Sequence, residues 1–249
     1  MSYTDLASIY DYLMEDIDYH EWTNFIARLI NFHGAPGHSL LDAGCGTGSI
    51  TTLLAQHSFK VTGIDISEEM LTQAEQKSRS NGIKIPYFKQ DIRNLSFREE
   101  FDIVVSTFDT LNYLIEPGDI KKGIANIYLA LKRQGIFIFD INSHYKLANT
   151  LSENVFTYNT DELVYIWENC YDEINQLCQM DLTFFALDHT SGKYLRFNET
   201  HMQKAFYTEE ICTLLMDSGF EILGIYGELA FESPMENEER IFFAARKKT

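Results

Sequence analysis

The spacing of apolar positions changes several times along the chain, and each change marks an element. "SLLDA" (39–43) is a short apolar run that predicts a buried strand, and "SITTLLAQH" (49–57) carries apolar residues at helical spacing. "FKVTGIDI" (59–66) reads as a second strand. "SEEMLTQAEQKSRSNG" (67–82) reads as a helix with Ser67 as N-cap and Asn81-Gly82 as its stop. Strands are predicted again at "IKIPYFKQD" (83–91) and "FDIVVSTFD" (101–109). A helix over 118–135, closed by glycine, then leads into the strand "IFIFDIN" (136–142).

Strands and helices that alternate this regularly, with near-continuous apolar strands, predict a parallel sheet covered on both faces. Right-handed crossovers make the architecture a doubly wound α/β fold, in which ligands bind beyond the carboxyl ends of the strands. The loops that start at 42, 65, 91, 106 and 140 all open onto that edge.

After about residue 145 the pattern breaks. "ELVYIWENCYDE", "QLCQMDLTFFALD" and "KYLRFNETHMQKAFY" are β-rich and separated by the turn-like "EINQ" and "HTSGK". Helical spacing returns at "TEEICTLLMDSG" (208–219), and "FEILGIYGEL" and "RIFFAARKK" (240–248) read as closing strands. The expected organisation is an N-terminal helical cap (1–37), an α/β domain (38–145 and 207–249), and a β-rich insertion (146–206) that covers the ligand edge as a lid.

Composition narrows the class only a little. A chain of 249 residues can bury a core without staples, and its 45% hydrophobic content with four prolines is that of an ordinary globular protein. No apolar run approaches the roughly 20 residues of a membrane span. The acidic, polar start "MSYTDLASIYDYLMEDIDYHEW" has no signal-peptide character, so cytoplasmic location is expected. The net charge of −17 disfavours nucleic acid as the main partner. The four cysteines are scattered without a CxxC pair, which predicts neither disulfides nor a metal site. Cys45 reads as a small residue filling a turn; the alternative, a nucleophile, lacks a base placed to activate it.

Candidate chemistry centres on "LLDAGCGTG" (40–48). The lysine of a phosphate-binding P-loop is absent, and Gly44, Gly46 and Gly48 give GxGxG with Ser49 in place of the third dinucleotide glycine. Asp42 would repel a pyrophosphate but attract an ammonium group. Asp65, ending the second strand, can accept both ribose hydroxyls, and Asp91, ending the third, can accept from an adenine amine. The alternative for Asp65 and Asp91 is a helix N-cap or turn acid. An amino group, a ribose, an adenine and no phosphate describe S-adenosylmethionine.

"LLDAGCGTG", "VTGIDISEEML", "FKQDIRNL" and "FDIVVSTFDTLNYL" together resemble the successive motifs of class I S-adenosylmethionine-dependent methyltransferases over residues 38–142. Within that family the pattern is most similar to glycine N-methyltransferases and sugar-amine N-methyltransferases. The resemblance implies a Rossmann-like, mostly parallel seven-stranded sheet with an antiparallel last strand. It also implies a donor, S-adenosylmethionine, that leaves as S-adenosylhomocysteine. By position, Asp42 and Gly44 would hold the methionine part and Gly46 would allow close backbone approach. Ile66, and with it Met70, would pack on adenine, and the Ile92 N–H would donate to the ring. Tyr10 would contact the cofactor from the N-terminal segment, although an aromatic merely packing the entry helix is the other reading; Trp22, at helical spacing with Phe25 and Ile26, reads as core. The Ser106–Tyr113 loop, with Phe108, would line the cleft between cofactor and acceptor.

That loop departs from the family in two ways. It lacks the NPPY-type sequence of enzymes acting on planar amines, and Tyr113 stands where sugar-amine enzymes carry a histidine. An amine acceptor needs only to be unprotonated, whereas a hydroxyl wants a base, for which Asp109, Tyr113 and His144 are the candidates. Tyr165, Trp167, Tyr171, Phe184 and Phe197 are expected to govern acceptor choice, with half of them in the lid's core by strand alternation. The expected activity is methyl transfer to nitrogen or oxygen of a small molecule by a monomer or homodimer. Three alternatives remain: a tRNA- or rRNA-modifying methyltransferase, an NAD-dependent oxidoreductase and a non-catalytic binding module.

Overall fold

A computed structural model describes residues 13–248. Helix α1 (Tyr19–His33) starts at Asp18, whose carboxylate accepts from the N–H groups of His20 and Glu21, and stops at left-handed Gly34. The chain continues through β1 (Ser39–Ala43), α2 (Ser49–Gln56), β2 (Lys60–Asp65), α3 (Glu68–Ser80), β3 (Tyr87–Lys89), β4 (Phe101–Ser106), α4 (Asp119–Ala130) and β5 (Leu131–Asn142). The insertion holds β6 (Val155–Asn159), β7 (Leu163–Asp172), β8 (Leu177–Asp188) and β9 (Lys193–Lys204), and α5 (Thr208–Asp217), β10 (Phe220–Tyr226) and β11 (Arg240–Lys247) close the chain.

The main sheet has seven strands in the order β10-β11-β5-β4-β1-β2-β3. Strands β1 to β5 pair in parallel, and β11 lies antiparallel between β5 and β10. Alternate residues feed two cores. Leu40, Ile103, Val105, Ile136 and Ile138 pack under Trp22, Phe25, Ile26 and Leu29 of α1 with Ile50 and Leu54 of α2. Leu41, Val104, Phe137 and Phe139 pack under Ile120, Ile124 and Ile127 of α4 with Ile211 and Leu215 of α5. Trp22 is core, as its spacing predicts, at 4% exposure.

Three boundaries differ from the sequence reading. The third strand pairs only over Tyr87–Lys89, because Pro86 has no N–H to offer the ladder. The helix expected to run to 135 ends at Ala130, where Leu131 turns extended and drops its side chain, fully buried, into the core. Strand β6 has no counterpart in the apolar pattern; it is the edge of the second sheet, and Val155, Phe156 and Thr157 are exposed.

The second sheet is antiparallel, in the order β6-β7-β8-β9. Its registers set Tyr165, Phe184 and Phe197 opposite one another, with Trp167 and Tyr171 two and six residues along β7. All five aromatics therefore share one face, and alternation does not divide them between core and site. Tyr165, Phe184 and Phe197 cluster with Leu13, and Trp167 and Tyr171 pack toward Leu147 and Leu151 of the π-helical turn Lys146–Leu151.

Candidate functional site

The C-terminal edge of β1 carries the glycine loop. Asp42, 1% exposed, accepts from the Thr51 hydroxyl (2.6 Å) through Oδ2, while its buried Oδ1 has no partner among the described residues. Burial pushes this carboxyl up to about 7, against the pull of Thr51, and the charge of Asp65 adds to the rise. Gly44 (φ +83°) lies against Thr110, where a Cβ would stand 2.4 Å from that side chain. Gly46 (φ +53°) has nothing within 4 Å of a Cβ, so the backbone is bare toward the cleft. Lys77 donates to the hydroxyls of Thr47 and Ser49 and ties the loop to α3.

Asp65 bridges the loop and the next helix. Its carboxylate accepts from the N–H groups of Gly46 and Ser67, both at 2.9 Å. Burial raises its pKa while those N–H groups oppose the rise. Ile66 beside it is 55% exposed, an apolar surface open to solvent at the strand edge. Met70 is instead 4% exposed and packed inward, which leaves its side chain almost no surface for the adenine contact expected of it.

Asp91 has the partners of a turn acid. It caps the short helical turn Ile92–Asn94 through the Arg93 N–H and pairs with the Arg93 guanidinium, which holds its carboxyl below the usual range. Arg93 also reaches Asp119 at 2.6 Å. Ile92 is buried, so only its backbone faces the role expected of it. Ser106 is fully buried and donates to the Ala43 carbonyl (2.7 Å); it staples β4 to β1, and a side-chain contact to a cofactor is not what the structure gives it. Tyr10 lies outside the described residues.

The loop after β4 is built on a buried charge cluster. Phe108 and Asp109 both have positive φ (55° and 53°), a costly conformation for residues other than glycine. Their N–H groups donate to the two oxygens of Asp140, fully buried at the end of β5, at 2.8 and 3.0 Å. Arg240, at the start of β11, pairs with Asp140 and with Asp109 (3.0 Å). Burial works against the guanidinium charge, but the two carboxylates outweigh it and hold Arg240 ionised. The Phe108 ring stacks on Trp22 at 4.1 Å, which joins the loop to α1.

Two of the expected bases already have partners. Asp109 Oδ1 accepts from Arg240 and Oδ2 from the Gln203 amide (2.6 Å), so both oxygens expected to act as a base already anchor neighbours. His144 stacks on Tyr207 at 4.0 Å and hydrogen-bonds the Tyr171 hydroxyl, which ties it to the start of α5. Tyr113 lies edge to face against the His201 ring, with ring centres 6.0 Å apart. The Cys45 thiol is pushed well up by burial and by Asp42 and Asp65, consistent with a turn filler.

Sequence reasoning missed the residues that fasten the insertion to this loop. Asn112 donates to the carbonyls of Asn142 and Lys204 and accepts from the Asn142 N–H. The Asn142 amide donates to Gln203, which donates to Asp109. The only signal was the polar alternation Glu199, His201, Gln203 within "NETHMQK", which has no direction until the face of β9 is known.

Residues 40–135 match the family model described as a methyltransferase domain. The chain is 36% identical to a putative methyltransferase of Geobacillus, covering 99% of this chain and 100% of that one. It is similar over 99% of both chains, with a TM-score of 0.90 and 36% identity, to the structure of an S-adenosylmethionine-dependent methyltransferase from Clostridium acetobutylicum. A dTDP-3-amino-3,4,6-trideoxy-alpha-D-glucopyranose N,N-dimethyltransferase of Streptomyces venezuelae is 28% identical over 55% of this chain and 56% of its own length.

Proposed function

The chain belongs to the class I S-adenosylmethionine-dependent methyltransferases, and from that membership we propose that its acceptor is a small molecule attacking through nitrogen or oxygen. The cofactor is S-adenosylmethionine, and NAD-dependent oxidation drops out of the alternatives. The residues present fit it. The unpartnered buried oxygen of Asp42 suits an ammonium donor, bare Gly46 allows close approach, Asp65 suits ribose and exposed Ile66 suits a ring face. Ser67 and Gly46 use one oxygen of Asp65 each and leave lone pairs for two hydroxyls. The Ile92 N–H and the N-terminal segment complete the adenine side in this reading.

The observation that carries the small-molecule proposal is the fastening of the insertion sheet. Through Gln203, Asn142 and Asn112 it is held at the loop after β4, with its aromatic face turned to Leu13 and to Leu147. A sheet hydrogen-bonded there acts as a lid over a confined acceptor site. The net charge of −17 opposes a polyanionic acceptor, and the Streptomyces venezuelae relative is named for an amino sugar. The bound donor supplies an electrophilic methyl group. The protein's own task is alignment and water exclusion, and positioning of this kind can contribute about 7–11 kcal/mol to lowering a barrier.

Transfer of labelled methyl from S-adenosylmethionine tests this over four acceptors: sarcosine, a nucleotide-linked 3-amino sugar, a catechol and bulk tRNA. Labelling of at least one small molecule is expected; labelling of tRNA alone would transfer the acceptor to nucleic acid.

Asp42 also makes donor binding pH-dependent. With its carboxyl raised to about 7 by burial, the group is largely neutral at pH 5.5 and charged at pH 8. An ammonium favours the charged form, so affinity for S-adenosylhomocysteine should fall as pH drops below 7, approaching roughly tenfold per unit. Calorimetry from pH 5.5 to 7.5 reads this directly. Constant affinity across that range would mean Asp42 does not face the amino group.

A further inference from the structure

Strand β9 turns Glu199, His201 and Gln203 to the aromatic inner face, opposite Leu182, Met180 and Cys178 of β8. Gln203 meets Asp109 of the loop after β4, and two residues further from that junction His201 meets Tyr113 edge to face, ring centres 6.0 Å apart. His201 is 7% exposed. The insertion thus delivers an imidazole to the end of the loop that, in the proposed function, lines the acceptor. The loop's own proton acceptors are committed or weak. Asp109 is taken by Arg240 and Gln203, and a phenol such as that of Tyr113 is a weak proton acceptor. His144 belongs to the contact with Tyr171 and Tyr207.

We propose that His201 contacts the methyl acceptor and takes up its proton, a role supplied by the lid strand and not by the loop. The assignment rests on the small-molecule reading above. As the acceptor nitrogen or oxygen bonds to the methyl carbon, the carbon–sulfur pair stays on sulfur to give the thioether product. The acceptor's proton moves to the unprotonated nitrogen of a neutral imidazole and from there to water. Tyr113, packed on the ring, fixes its tilt.

The ring's surroundings favour that neutral form. Burial lowers its pKa, and the charge of Asp109 opposes the shift without reversing it. The other titratable groups turned toward it are Tyr113 of the loop, Glu199 on the same strand and Tyr171 on the same face; its cross-strand neighbours Met180 and Asn169 carry no charge. Activity that needs the neutral ring is lost as pH falls through this lowered value, so the acid limb lies below the ordinary 6.5 of histidine.

The test joins kinetics to a ring titration. In full-length protein labelled with ring-13C histidine and saturated with S-adenosylhomocysteine, the His201 signal is assigned by its loss in His201→Gln. It should titrate below about 6.5. His201→Gln should keep its affinity for S-adenosylhomocysteine, lose on the order of 10² in kcat toward whichever panel acceptor is methylated, and lose the acid limb of the wild-type profile. A methylated panel acceptor with unchanged kcat and pH profile in His201→Gln overturns the histidine and leaves the small-molecule reading standing. Labelling of tRNA alone overturns both. If no acceptor turns over, a ring that titrates at or above the ordinary 6.5 overturns the assignment and one that titrates below it supports it.

Discussion

Replacing Asp65 by alanine is expected to weaken S-adenosylhomocysteine binding by at least about a hundredfold while the protein stays folded. A carboxylate that accepts two hydroxyls makes two charge-assisted hydrogen bonds, each worth roughly 1.5–3 kcal/mol. Together they correspond to about two to four decades of affinity. The variant also releases the N–H groups of Gly46 and Ser67, so part of the loss is a less ordered glycine loop. Ser67→Ala is the control for loosening the start of α3 with Asp65 and both of its N–H donors kept. It removes the hydroxyl that caps the Met70 N–H, at a cost of about 1 kcal/mol in stability, and should leave affinity nearly intact. Calorimetry and circular dichroism on both variants read the outcome. Normal binding by Asp65→Ala would sink the ribose assignment.

Arg240→Met is expected to be the most destabilising single change at the site. It leaves Asp140 fully buried without its cation, and Asp109 loses one of its two partners. Breaking a buried pair from one side costs about 3–5 kcal/mol. For a chain of this size that lowers Tm by roughly 6–20 °C. Asp140→Asn combined with Arg240→Met removes both charges, and it should recover a substantial part of the loss. The amide oxygen introduced by Asp140→Asn can still accept from one N–H group of the Phe108–Asp109 turn. If the double variant melts no higher than the single one, the unpaired charge of Asp140 is not the source of the loss, and lost packing over Trp22, whose ring lies 5.3 Å from the Arg240 guanidinium, takes its place. The same cluster holds two strained residues, so the double variant should still transfer methyl groups slowly. A folded variant with wild-type kcat would show that the Phe108–Asp109 turn keeps its shape without Asp140.

What could be read from the chain follows from the range of the forces involved. The β1–α2–β2–α3 unit was legible to within a residue or two, because apolar spacing, the Ser67 cap and the Asn81 stop are local signals. The identity of the donor was legible for the same reason. Asp42, the glycines and Asp65 lie within 24 positions and each closes or follows a strand, so strand order alone brings them to one edge. Element ends governed by distant partners were not legible. Ala130 ends its helix because Leu131 finds the core, and Val155–Asn159 is a strand only because β7 lies beside it.

The acceptor side needed the folded chain throughout. Asp109 and His144 looked like bases because nothing in the sequence shows that Arg240, 131 positions away, takes the first, or that Tyr207 covers the second. Asp91 looked like an adenine ligand because nothing in the sequence shows that Arg93, itself held by Asp119, pairs with it. His201 looked like one polar residue in an alternating strand; the register of β8 with β9 and the bonds from Gln203 to Asp109 place it at Tyr113. Fold class and methyl donor were thus present in the linear chain, because donor recognition is concentrated in loops that each strand carries with it. Which side chains stand ready for the acceptor emerged only from packing, because burial and charge pairing are set by residues a hundred positions apart.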